Sequence, residues 1–171
     1  MEQIEYNGVC YLKRGQWWVA SGGLIDESIQ DKLNELYAKT LDYSKLTVPE
    51  AIKLGDDFKL SSTLGLAIQC YEKATECADE QQLAYILPRI TSCYRKQGNP
   101  QKVIDMLSFA SRKYGKRLIT VALLTSAGAA YCDLGEYTLA KKTCDRAYRL
   151  ANGNVDDSLR LVYKRIEKET R

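Results

Sequence analysis

The chain has 171 residues, of which 45% are hydrophobic, and a net charge of +3, which suits one compact domain or a short stack of repeats. Its longest apolar runs are only a few residues, too short for a membrane-spanning helix. There is no histidine, so the commonest general base and the usual partner of a serine or cysteine nucleophile are missing.

Six cysteines (Cys10, Cys70, Cys77, Cys93, Cys132 and Cys144) form no Cys-x-x-Cys pair, which argues against a zinc site. They read as buried free thiols acting as small apolar residues. No Gly-x-x-x-x-Gly-Lys-Ser/Thr or Gly-x-Gly-x-x-Gly loop is present. No catalytic residue, metal or cofactor is therefore expected. The first residues carry no basic stretch leading into an apolar core, which predicts no signal peptide and a cytoplasmic location.

Residues 1–46 form a module of their own. Asn7-Gly8 stands between β-prone residues and suits a two-residue type I′ hairpin turn, because both central positions need positive φ. A second turn at Lys13-Arg14-Gly15-Gln16 precedes Trp17-Trp18-Val19-Ala20, giving a two- or three-stranded antiparallel meander that ends at Ser21-Gly22-Gly23. So small a sheet needs a helix to lie against. Ile29, Leu33, Leu36, Tyr37 and Leu41 supply one as a single apolar stripe, capped by Asp26 or Ser28. Trp17 and Trp18 are candidates for a stacking platform that takes a base or a Pro-rich peptide. Period-two alternation gives the competing reading: one Trp covers the helix and the other lies half exposed.

Thr47-Val48-Pro49-Glu50 reads as a capping box with proline in the first turn. A helix follows over 51–58 and a partner over 64–78. Leu54, Gly55 and Phe58 in the first and Ala67, Tyr71 and Ala74 in the second form the packing positions. A second pair places Leu87, Ile90, Thr91 and Tyr94 before Gly98, and Val103, Leu107 and Ala110 after it. Pro88 should either start that helix late or kink it. A third pair places Leu124, Ala127, Gly128 and Tyr131 before Gly135, and Ala140, Cys144 and Ala147 after it. Ala67 to Val103 spans 36 residues, and Val103 to Ala140, Tyr94 to Tyr131 and Gly98 to Gly135 each span 37.

This in-phase pattern of small residue, aromatic, turn glycine and alanine resembles the tetratricopeptide repeat, whose period is about 34 residues. Cys144 stands where that family usually has an aromatic, and no proline closes the third copy at Asn152. The resemblance implies a mainly α fold: a right-handed α-α solenoid of helical hairpins over 47–154, with a small N-terminal antiparallel sheet. The repeats would cover about 48–81, 84–117 and 121–154. A helix in 155–171, with the stripe Leu159, Val162, Tyr163 and Ile166, caps the array. Asp156 or Asp157 starts this helix, and Lys164, Arg165, Lys168 and Arg171 lie toward its end.

The resemblance also implies a non-catalytic protein-binding module, an adaptor, scaffold or regulator, that takes a peptide or helix in a groove lined by first helices. The residues at those positions are Ile52, Asp56 and Lys59, then Tyr85, Ser92, Arg95 and Lys96, then Ala122, Thr125, Ala129, Cys132 and Asp133. The family's carboxylate clamp is not carried over, because Ile52, Asp56 and Ser92 occupy its positions. Arg89, six residues before Arg95, lies well round the helix from it. Charge adds one more signal: residues 1–83 carry net −6, 84–118 net +7 and 119–171 net +2. The basic middle repeat (Arg89, Arg95, Lys96, Lys102, Arg112, Lys113, Lys116, Arg117) reads as a solvated face paired to Glu72, Glu76, Asp79 and Glu80, or as a site for an acidic peptide. The alternative is a nucleic-acid-associated factor using that repeat.

Overall fold

A computed structural model describes residues 2–21, 23 and 25–170. It is mainly helical, with a three-stranded antiparallel sheet at the N-terminal end in the order β1-β2-β3. The elements are β1 (Gln3–Tyr6), β2 (Val9–Arg14), β3 (Trp17–Val19), α1 (Glu27–Thr40), a 3-10 turn (Tyr43–Lys45), α2 (Val48–Leu60), α3 (Leu64–Cys77), α4 (Glu80–Lys96), α5 (Pro100–Tyr114), α6 (Val121–Asp133), α7 (Tyr137–Leu150) and α8 (Asp157–Glu169). No strand occurs beyond the N-terminal sheet among the described residues. The chain divides into two compact units, Met1–Cys77 and Ala78–Arg171. The first helical hairpin thus clusters with the sheet module. Gly22 and Arg171, assigned from sequence to the end of the meander and to the last helix, lie outside the described residues.

In the first unit, Asn7 and Gly8 both take positive φ and Tyr6 pairs with Val9, which is the two-residue turn the sequence predicts. At the second turn only Gly15 takes positive φ, and Arg14 pairs with Trp17. The pleat then separates the two tryptophans. Trp17 remains 44% exposed, and Trp18 is fully buried. Trp18 fixes α1 through polar contacts. Its backbone N–H donates to Gln30 Oε1 at 2.9 Å, its carbonyl accepts from Gln30 Nε2 at 2.7 Å, and its indole N–H donates to Asn34 Oδ1 at 2.9 Å. The Gln30 amide thus pairs with the free backbone edge of β3 as a neighbouring strand would.

The buried face of α1 is accordingly Gln30, Leu33, Asn34, Tyr37 and Ala38. Ile29, Leu36 and Leu41 of the expected stripe are only half-buried. A buried indole N–H and an unpaired strand backbone need partners, and that need outweighs the apolar periodicity. Tyr37 meets Trp18 edge-on at 5.7 Å and donates its hydroxyl to the Glu2 carboxylate.

α2 and α3 pack as a tight antiparallel pair. Thr47 donates both its N–H and its hydroxyl to Glu50, at 2.9 and 2.7 Å, which fixes the start of α2. A methyl group built on Gly55 would lie 2.7 Å from the Tyr71 ring, so this crossing has room only for glycine. Tyr71 is fully buried, and its hydroxyl donates to Asp56 Oδ1 at 2.6 Å.

The second unit holds α4 to α8. α6 is its centre, in contact with α4, α5, α7 and α8. Its run of small residues permits this, since Ser126, Ala127, Gly128, Ala129 and Ala130 are all buried. The core adds Leu118, Leu123, Leu124, Ala140, Ala147 and Leu159, each at most 1% exposed. Burying one such leucine contributes roughly 1.5–3 kcal/mol.

The turns inside the three hairpins share one geometry. Thr63 N–H donates to Phe58 O at 2.9 Å, Asn99 N–H to Tyr94 O at 2.9 Å and Glu136 N–H to Tyr131 O at 2.8 Å. The preceding residue is left-handed each time: Ser62 (φ 62), Gly98 (φ 75) and Gly135 (φ 76). These are six-to-one helix-ending turns, recurring with the spacing of the sequence repeat.

The structure refines the sequence reading of α4. It begins at Glu80 and not near residue 84, because Asp79 and Gln82 form a capping box that adds a turn. It also runs through Pro88, so the late start is excluded. Four of the six thiols (Cys70, Cys93, Cys132 and Cys144) are buried as expected, whereas Cys10 and Cys77 are exposed.

Candidate functional site

α4 is amphipathic. Leu83, Ile86, Leu87, Ile90, Thr91, Cys93 and Tyr94 are buried. Tyr85, Arg89, Ser92 and Lys96 recur at helical spacing on another face. Tyr85 is 46% exposed, and the Arg89 guanidinium stacks 3.3 Å from its ring centroid while donating to the Tyr85 carbonyl at 3.0 Å. Arg89 thus belongs to this line. It is offset from Arg95, as the helical spacing requires, but it aligns with Tyr85 four residues earlier. Ser92 is half-buried beside it, and Lys96 is exposed at the last turn.

Arg95 is not available in the way the sequence suggests. Its Nε lies 2.9 Å from Asp133 Oδ2, and Arg165 Nη2 lies 2.8 Å from Asp133 Oδ1. Asp133 ends α6, where the helix dipole disfavours a carboxylate, and cations from the last turn of α4 and from α8 compensate it. The Asp133 carboxylate holds Arg165 above its ordinary value. Asp133 therefore ties three helices together, and Arg95, expected to read acidic residues of a partner, already faces one acidic residue within its own chain.

The sequence places Thr125, Ala129 and Cys132 on the wall of an open groove, and the structure corrects this. All three are buried, at 7%, 2% and 3% exposure, because neighbours pack closely round the small-residue helix α6. The Thr125 and Ser126 hydroxyls are buried without a hydrogen-bond partner among the described residues. Burial pushes the Cys132 thiol up, away from its reactive form. Lys59 is half-buried in the last turn of α2, in the first unit. Of the tryptophan pair only Trp17 presents a ring to solvent, and the buried Trp18 is excluded as a platform.

The basic residues at the end of α5 are exposed, and Arg117 reaches Glu80 at 3.2 Å. Two open clefts of about 220 and 380 Å³ in the first unit lie between α1 and the start of α3, lined by Glu35, Tyr43, Leu66 and Gln69 among others. No residue singled out from sequence lines them.

Sequence reasoning placed Arg165 only among the cations toward the end of α8 and missed its pair with Asp133, and it missed Phe109 altogether. Nothing local announces the Arg165–Asp133 pair, which joins α8 to α6. Phe109 was detectable, since it stands four residues before Lys113, a spacing that puts ring and ammonium on one helix face. No helix of the described residues is long and apolar enough to cross a membrane. Compared with protein-family models, curated proteins and solved structures, the chain matches none.

Proposed function

We propose that this chain is a non-catalytic interaction module of tetratricopeptide type, with hairpins α4 to α8 coiling in that family's right-handed sense. The in-phase turns and the glycine-mediated crossings at Gly55 and Gly128 support the architecture. Its partner is a protein segment with acidic residues, bound along α4. The observation that carries this reading is the exposed Tyr85 ring stacked by Arg89, with Ser92 and Lys96 continuing the same face. An aromatic ring and cations in one line bind an extended or helical segment through apolar contact and charge together. Six cysteines that form no disulfide fit a reducing compartment, so the cytoplasm is the proposed location.

The test is a nuclease-treated pull-down comparing the parent with a Tyr85→Ala, Lys96→Glu variant whose folding is checked by circular dichroism. Removing a charged hydrogen bond and the ring's apolar surface should weaken capture of a protein partner about tenfold. Capture at parental strength by the folded variant would overturn the α4 site.

A further inference from the structure

The end of α5 and the turn after it carry a second surface, separate from the α4 face. Phe109 is 51% exposed. The Tyr114 ring meets it edge-on with centroids 6.3 Å apart. Lys113 Nζ lies 5.4 Å from the Phe109 centroid and 5.1 Å from that of Tyr114. Arg112 and Lys116, close to it in sequence, are exposed, and Arg117 is exposed and paired with Glu80 at 3.2 Å. No acidic residue occurs from Met106 to Leu118.

Cations near a helix C-terminus also answer the dipole, which accounts for Arg112 and Lys113. It does not account for Lys116, which follows the helix end at Tyr114, nor for the exposed phenylalanine; Arg117 is paired with Glu80. Leu118 and Ile119, immediately after, are buried and anchor the turn.

We infer that Phe109, Arg112, Lys113, Tyr114 and Lys116 form a binding surface for single-stranded nucleic acid. The pattern of the site decides the ligand class. Each nucleotide offers one flat base face and one phosphate, matching rings interleaved with cations. An acidic peptide satisfies the cations but brings no planar group to each charge. A duplex satisfies the cations through its phosphates, but its base faces are stacked on one another and cannot reach Phe109.

The experiment is fluorescence anisotropy of the full chain with a labelled oligothymidylate of about 20 residues, at about 50 and 200 mM salt. A duplex and a polyglutamate of similar length serve as comparison probes. The oligothymidylate should bind more tightly than either. Phe109→Ala should weaken its binding about tenfold and leave polyglutamate binding unchanged. Arg112→Ser, Lys116→Ser should reduce the slope of log affinity against log salt by about 0.7 for each phosphate no longer neutralised. The Tyr85→Ala, Lys96→Glu variant should bind the oligothymidylate like the parent, which separates this surface from the α4 face. No binding at about 50 mM salt, equal binding of polyglutamate, or an unchanged affinity in folded Phe109→Ala would each overturn the proposal.

Discussion

Arg95 Nε stands 2.9 Å from Asp133 Oδ2, and this pair changes how the basic second hairpin is to be probed. Arg165 holds the other carboxylate oxygen at 2.8 Å. All three side chains are partly exposed, so the cluster contributes modestly to stability. Asp133→Ala should lower stability by about 0.5–1.5 kcal/mol, read as a shift in the urea midpoint at unchanged slope. Arg95→Glu should cost more than Arg95→Ala, because it sets two carboxylates against each other. Equal midpoints for those two variants would show that the pair does not form in solution. Lys96→Glu carries no such penalty and is the cleaner probe of partner binding.

A second prediction concerns the crossing of α6 and α7. A methyl group built on Gly128 would lie 2.5 Å from Cys144 Sγ, too close for either to remain in place. Gly128→Ala should overpack the crossing at a cost of about 1–3 kcal/mol. The better helix propensity of alanine offsets about 1 kcal/mol of this. Cys144→Ala removes the clashing sulfur, so the double variant should recover most of the stability. Failure of Cys144→Ala to rescue Gly128→Ala would mean that the helices cross elsewhere.

The recurrence of such crossings is the part of the fold that local spacing reveals. Gly55 against Tyr71 and Gly128 against Cys144 are equivalent positions, and a small residue followed three residues later by an aromatic reports them directly. The turn shared by Ser62, Gly98 and Gly135 is visible for the same reason, although only two of its three members are glycine. What local spacing hides is long-range or polar. Gln30 and Asn34 read as surface residues of α1 until Trp18 is seen to need them. Thr125, Ala129 and Cys132 read as groove-lining because small residues suit a groove wall and a crowded helix crossing equally well. Arg95 reads as free because its partner is brought in by another helix.

The Trp18–Asn34 contact leads to the third prediction. Asn34 accepts from the indole N–H at 2.9 Å and donates to Ser61 Oγ and Thr63 Oγ1, each at 3.0 Å. Asn34→Leu keeps the bulk but leaves the indole N–H buried and unsatisfied. The expected cost is about 2–3 kcal/mol, near the upper end for one orphaned buried donor, because the link to the α2–α3 turn goes as well. Urea unfolding followed by tryptophan fluorescence measures it. A midpoint within error of the parent would place the Trp18 indole in contact with water.

The last prediction is a pH dependence centred on Asp145 in α7. Lys141 Nζ lies 2.9 Å from its Oδ2, and the Tyr163 hydroxyl of α8 donates to its Oδ1 at 2.9 Å. The Lys141 contact, followed by the Tyr163 hydrogen bond, holds the Asp145 carboxyl below its ordinary value. Burial and the Asp145 hydrogen bond push Tyr163 above its ordinary value. The two shifts act at opposite ends of the pH scale. A depressed carboxyl contributes stability that is complete above its unfolded value and is lost as pH falls through the folded one. A raised phenol contributes stability that is complete below its unfolded value of about 10 and is lost as pH rises toward the folded one. The α7–α8 contact should therefore be strongest between about pH 5 and pH 9. Tyr163→Phe should cost about 0.5–1.5 kcal/mol near neutral pH, as one hydrogen bond to a carboxylate is removed. Asp145→Asn should flatten the fall in melting temperature between about pH 5 and pH 3, because the titrating group is gone. Thermal melts of the parent and both variants across that range provide the check. An acid slope unchanged by Asp145→Asn would assign the acid destabilisation to other carboxylates.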